Sequence, residues 1–248
     1  VLLASFVGAV GACIFGLGIP LIPQDHGDRV AAGILSVAGV LTAGAAYLHW
    51  RRFHVPITIA ALTGALVTTL VTALLWSAPA VKDQILWVVL LAGVGVFSFA
   101  MWWDMSDRMR QTRRSDVAFW LHLSAAPMIA HPVFHLLGVM DNEVTASSGL
   151  LVILLYVLFG IVALAVDRRA LLVSSLAYVL YALAGLFKQA GAVSLNVALT
   201  ALVIGSALLL LSAFWHNVRR MVVSGLPTDL REKLPVLDRP LAVTPRAA

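Results

Sequence analysis

Cysteine is almost missing: Cys13 is the single one among 248 residues, which excludes an intramolecular disulfide and any multi-cysteine metal site. It lies in the first apolar run, where a small buried hydrophobe is the ordinary role. Charge is scarce too, at 12% of residues, and no Asp or Glu falls in the middle of an apolar run. The second absence weighs against a well-equipped proton pump, since a buried histidine needs hydration or a nearby carboxylate to change its charge. Alternating apolar and polar positions of the kind a membrane barrel needs do not occur. Residues Val1 to Pro23 carry no basic n-region, so they read as a true span from a chain trimmed at its front, and not as a cleaved signal peptide.

Apolar residues are abundant: 61% of the chain, with a mean hydropathy of +0.96, far above the composition of a soluble domain. A span needs about 20 predominantly apolar residues. Eight segments qualify, near Val1 to Pro23, Val30 to Trp50, Val55 to Ser77, Gln84 to Trp103, Val117 to Val139, Gly149 to Val166, Ala170 to Phe187 and Ala192 to Trp215. Sheet edges do not survive in lipid, so the expected fold is all-α. Residues 1–218 would form the transmembrane bundle and 219–248 a tail.

Basic residues sort by side. Fourteen follow spans two, four, six and eight, and only Arg29, Lys82 and Lys188 lie on the opposite side. Positive charge marks the cytoplasmic face, which puts both termini there. The net charge of +5 therefore belongs to short loops, and nucleic-acid binding is not expected. Trp50, Trp102, Trp103, Trp120 and Trp215 would form the inner aromatic belt, with Trp76 and Trp87 in the outer one.

Three landmarks recur at nearly one offset. Arg51-Arg52 and Arg168-Arg169 are 117 positions apart, AMWW and AFWH 113, and Ile19-Pro20 and His131-Pro132 112. The bundle is accordingly either one eight-helix unit or two four-helix repeats related by an axis along the membrane normal. Gly8, Gly11, Gly16, Gly18, Gly33, Gly39 and Gly44 suit close helix contact, and Thr63, Thr68, Thr69 and Thr72, with Asn196, Thr200 and Ser206, suit hydrogen bonds between helices. The loop DMSDRMRQTRRSD reads as solvated, its acids neutralising neighbouring arginines. Leu226, Leu230, Leu234 and Leu237 predict a short amphipathic tail helix capped by Asp229 with Glu232, then a disordered end from Arg239.

Span five carries the residues that could do chemistry: His122, His131 and His135 with Pro127 and Pro132. Ionisable groups at membrane depth are costly and face a bundle interior or a wet cavity. At 1.5 Å per residue His122 sits about 9 Å in and His131 about 22 Å in, on opposite faces, while His131 and His135 share one face. Each proline removes a donor, so a twice-broken helix is expected, lining a solute or ion cavity as discontinuous transporter helices do. A plain kink with packed histidines is the alternative. His131 and His135 also have the spacing of two metal ligands, which Asp25, His26 and Asp28 could complete. Haem would need facing histidines, for which His122, His216 and His49 are the candidates.

The run RRSDVAFWLHLSAAPMIAHPVF, with the LP-rich tail, resembles stretches of uncharacterised bacterial multi-span inner-membrane proteins. The resemblance implies a bacterial inner-membrane location and carries no activity. Three functions remain in view: a transporter-like protein built on span five, a non-catalytic accessory or assembly subunit contacting other membrane subunits, and a metal- or haem-dependent membrane enzyme. The first two make the chain no enzyme.

Overall fold

The computed structural model describes residues 27–137, 146–170, 172–176, 179–180 and 196–237. All regular elements among them are helical: α1 (Gly27–Phe53), α2 (Ile57–Ser77), a 3-10 turn (Pro79–Gln84), α3 (Ile85–Ser106), α4 (Arg113–Leu136), α5 (Ala146–Val166), α6 (Asn196–Ala213), α7 (Trp215–Ser224) and α8 (Thr228–Arg231). Residues 172–176 and 179–180 are helical as well. Span one, the metal-ligand candidates Asp25 and His26, most of span seven and the tail beyond 237 lie outside the described residues.

Among the described residues four helical stretches are long and apolar enough to cross a membrane: Arg29–Phe53, Ile57–Ser77, Pro79–Ser106 and Arg113–Leu136. They are the make-up of a membrane protein, because a helix satisfies its own backbone where water is absent. Half of the apolar window of α4 is buried, against 17% for the Pro79–Ser106 stretch, so α4 is the inner helix of this set.

The chain divides into two compact units, 1–101 with 116–142, and 102–115 with 143–248. Span five thus belongs with the first unit. In that unit α1 and α2 form a hairpin across Arg51–Pro56, where His54 takes a left-handed φ of 51°. The hairpin packs through glycine: a Cβ on Gly39 would strike the Thr69 hydroxyl, and one on Gly33 would meet the Trp76 ring at 3.5 Å. Gly44 meets nothing within 4 Å, so the close contact expected there is not made. Thr58 at the start of α2 bonds across the hairpin to His49, but three later α2 threonines do not bridge helices. Thr63, Thr69 and Thr72 donate to Ile59, Ala65 and Thr68 carbonyls of their own helix at 2.7–2.8 Å, because a hydroxyl one turn below its acceptor is satisfied without a neighbour.

The second unit is built at the arginine-rich helix ends. Helix α7 buries Trp215, Arg219 and Val223, an i, i+4, i+8 stripe, and exposes His216, Arg220 and Met221. It runs through the expected 218/219 boundary. The amphipathic helix of the tail is therefore earlier than leucine spacing predicts. Among the described residues beyond it only Thr228–Arg231 is helical, with no side-chain cap from Asp229, and Leu230 is exposed. Pro227 and Pro235 confine that helix to one turn.

Candidate functional site

Helix α4 is continuous from Arg113 to Leu136 with both prolines inside it, contrary to the expected double break. Each ring removes one backbone donor, and the remaining ladder holds the helical path. Ala126, Ala130 and Phe134 are at 0% exposure on one side of the helix, and Pro132 is fully buried on the other with Leu121 and Ala125, both also at 0%. Gly93 of α3 lets that side approach closely: a Cβ there would lie 2.9 Å from the Met128 Cβ and 3.0 Å from its carbonyl.

The histidines separate as helical geometry requires. His122 is 3% exposed and sits edge-on to Phe97, with ring centroids 5.0 Å apart. His131 is exposed and His135 half-buried, their rings 5.9 Å apart in a T-shaped pair. Two imidazoles make at most half of a tetrahedral metal site. Among the described residues no group of three or more His, Cys, Asp or Glu is placed to hold a metal ion. Asp28 begins α1, and His26 and Asp25 precede the described chain. Of the other haem candidates, the His49 Nδ1 hydrogen-bonds with the Thr58 hydroxyl at 3.1 Å and its ring packs 4.7 Å from Phe53. His216 is exposed on α7.

A second group of residues, not singled out by sequence reasoning, forms a buried charged cluster in the second unit. Asp104, wholly buried at the end of α3, accepts from Arg168 Nη2 at 2.7 Å and Nε at 3.3 Å. The same guanidinium donates to the Ser115 carbonyl at 2.9 Å. Arg110 donates to the Asp167 carboxylate at 2.7 Å and to the Val166 carbonyl at 2.9 Å. Both members of this pair are left-handed, with φ of 54° at Arg110 and 58° at Asp167. Such a backbone is uncommon for arginine and needs surrounding contacts to hold it. His54 and Asp167, each beside an Arg-Arg pair, are 113 positions apart, the offset at which AMWW and AFWH recur.

Asp167 also accepts from the Trp215 indole at 2.8 Å, and Arg219 lies 3.7 Å from the same oxygen. Trp215 is 4% exposed, so it is a buried donor and not part of an interfacial belt. Arg219, the largest fully buried side chain, donates to the carbonyls of Leu164 at 3.1 Å, Pro235 at 2.7 Å and Val236 at 3.2 Å. Arg108 holds the Leu234 carbonyl at 2.9 Å, and the Val236 N–H returns to the Arg108 carbonyl at 3.4 Å. The tail segment Leu234–Val236 is therefore a strap bound through its backbone by two guanidiniums.

Between these pairs, Asp107 ties its own loop. It accepts from the Thr112 hydroxyl at 2.7 Å, the Thr112 N–H at 2.8 Å and the Gln111 N–H at 3.1 Å. Burial pushes its carboxyl up, but these donors, with the Ser115 N–H, outweigh burial and hold it below the usual carboxylate range. The 104–116 loop is consequently solvated only in part: Gln111 to Arg114 and Asp116 are exposed, whereas Asp104 and Asp107 are buried. Asp104 takes an arginine 64 positions away, because an apolar helix end offers a carboxylate no water, and a bidentate guanidinium supplies the missing donors. The legible signal was a lone acid directly after each of two apolar runs, Asp104 and Asp167, both facing arginine-rich loops.

Compared with protein-family models, curated proteins and solved structures, the chain matches none of them.

Proposed function

We propose that this chain is an eight-span inner-membrane protein, with both termini in the cytoplasm, that serves as a non-catalytic accessory or assembly subunit of a larger membrane complex. The observation that carries this reading is the charged cluster. Three segments far apart in sequence, the 104–115 loop, the 166–168 turn and the 234–236 strap, are locked by buried guanidiniums into one fixed surface. A docking face has to keep its shape, whereas a gate has to move, and each buried pair broken in moving costs about 3–5 kcal/mol. The burial of α4 supports the same reading, since a solute path needs water where Ala125, Ala126 and Ala130 are packed on both sides of the helix. The recurrence of landmarks and of the left-handed turn supports two four-helix repeats within the eight spans.

The test is the size of the assembly extracted from native membranes in mild detergent. A chain with partners migrates well above its own mass, and Arg219→Met, which unlocks the strap, shifts it toward the free chain while leaving it inserted. Migration as the chain alone, unchanged by the substitution, would refute the proposal.

A transporter-like role is the second reading, favoured by one observation: the His131–His135 pair beside Pro132, with His131 exposed at a depth where lipid alone is a poor surrounding for imidazole. In that case His122, Pro127, His131, Pro132 and His135 line the path. The two readings separate on His131→Cys in a Cys13→Ser background: labelling by a water-soluble, membrane-impermeant maleimide means a wet cavity, and protection means lipid or protein.

A further inference from the structure

The second unit has a groove of about 460 Å³ whose two ends differ in chemistry. Leu172, Val173, Leu176 and Leu211 line its apolar part, and Arg169, Ser212 and Trp215 form its polar end. Gly205 adds room, since a Cβ there would meet nothing within 4 Å. Arg169 is exposed, donates to the Ser212 hydroxyl at 3.1 Å and lies 4.6 Å over the Trp215 ring. It has no carboxylate partner among the described residues. The nearby acids are already engaged, Asp104 by Arg168 and Asp167 by Arg110 and Trp215.

We infer that this groove binds one anionic phospholipid, its headgroup phosphate on Arg169 and Ser212 and an acyl chain along Leu172, Val173, Leu176 and Leu211. The chemistry follows from the order of the lining. Arg169 comes three residues after the apolar helix α5 ends at Val166, the level at which a headgroup meets the protein. A guanidinium held 4.6 Å over an indole and bonded to Ser212 still has N–H groups in the planar fork that suits phosphate oxygens. Below it the wall is leucine and valine, with Val173 63% exposed, a surface that suits a lipid tail better than water. Neighbouring Arg168 offers no second site, since its guanidinium is committed to Asp104 and Ser115.

The experiment uses the full chain, purified and delipidated in detergent, with lipid adducts counted by native mass spectrometry. Dioleoyl phosphatidylglycerol is compared with dioleoyl phosphatidylcholine, and inorganic phosphate is the competitor. The expected result is one retained phosphatidylglycerol per chain, preferred over phosphatidylcholine and undisturbed by phosphate. A basic residue near the surface contributes about a fivefold preference for anionic lipid, so Arg169→Gln lowers phosphatidylglycerol retention by about that factor. Gly205→Leu, which fills the apolar part, lowers retention of both lipids, and it decides the matter if Arg169→Gln fails to fold. Arg113→Gln, at another exposed arginine, leaves retention unchanged. Equal binding of the two lipids, displacement by phosphate alone, an equal effect of Arg113→Gln, or indifference to Gly205→Leu would each overturn the assignment. The measurement needs no partner protein, so its failure is separate from that of the accessory-subunit reading.

Discussion

Replacing Arg219 with methionine keeps the volume of the side chain and removes its donors, and the structure says where the cost falls. Three carbonyls lose their partner: Leu164 at the end of α5, and Pro235 and Val236 in the strap. Hydrogen bonds to a charged group contribute roughly 1.5–3 kcal/mol each. The strap can recover water by peeling away, whereas the α5 end cannot. Losing the two strap bonds therefore weakens strap closure by about 3–6 kcal/mol, roughly two to four powers of ten in its opening equilibrium. The Leu164 carbonyl, left buried without a donor, adds about 1–3 kcal/mol to the global cost. Hydrogen–deuterium exchange in detergent reads the difference. The amides of Leu234 and Val236, which donate to Arg231 and Arg108, should exchange at least a hundredfold faster, about the low end of that range, while α4 amides stay protected. Arg219→Lys should fall between, since an ammonium cannot reach both sides of the strap with one planar fork. Asn217→Ala, exposed one residue-pair away on α7, is the control. Unchanged exchange at Leu234 and Val236, or equal acceleration in α4, would show that Arg219 does not hold the strap.

Three further outcomes follow from the same geometry. Asp104→Asn leaves the Arg168 guanidinium buried without its counter-charge and should lower stability by about 3–5 kcal/mol in detergent thermal unfolding; adding Arg168→Lys should not restore it, because the bidentate contact is lost. Gly93→Val places atoms against the Met128 Cβ and carbonyl and should cost about 1–3 kcal/mol, whereas Gly95→Ala, which meets nothing within 4 Å, should be close to neutral by the same measurement. Asp107 binds its proton less readily in the folded chain than in the unfolded one. Its contribution is therefore fully present above the ordinary aspartate range and is lost as pH falls through the lower folded value; Asp107→Asn should flatten that part of an acid-unfolding profile and leave the neutral region parallel to wild type.

What the sequence made legible is what depends on local composition. The apolar runs placed α1 to α4 within a few residues: Val55 to Ser77 was expected and Ile57–Ser77 is found, Gln84 to Trp103 was expected and Ile85–Ser106 is found. Helical periodicity placed His122 opposite His131, and the first is buried and the second exposed. Pairing between distant loops follows no period, and there the reading went astray. Arg110 and Arg168 look like two of fourteen inside-marking charges, yet each holds a carboxylate across more than fifty residues. Trp215 looks like a belt residue because belts and buried indoles both sit at helix ends; only the Asp167 oxygen 2.8 Å away distinguishes them. Proline is misleading for a related reason, since a missing donor breaks a helix only where packing does not hold its path, and Pro132 is held on a fully buried face.

A physical rule emerges from the two aspartates that end apolar runs. A carboxylate at that level is poorly hydrated and close to many arginines, so it persists at low cost only if a guanidinium from another loop encloses it. Asp104 and Asp167 each stand in that position, and each is enclosed. Asp116 opens α4 at an equivalent level but is exposed, where the helix N-terminus itself favours negative charge and no partner is required. The side of the helix end on which an acid falls, trailing or leading, is thus enough to separate a buried clamp from a solvated one. Applied in reverse, the rule makes Arg110 and Arg168 the arginines to substitute first, and Arg113 and Arg114, exposed at the leading end of α4, the ones whose loss the fold should not register.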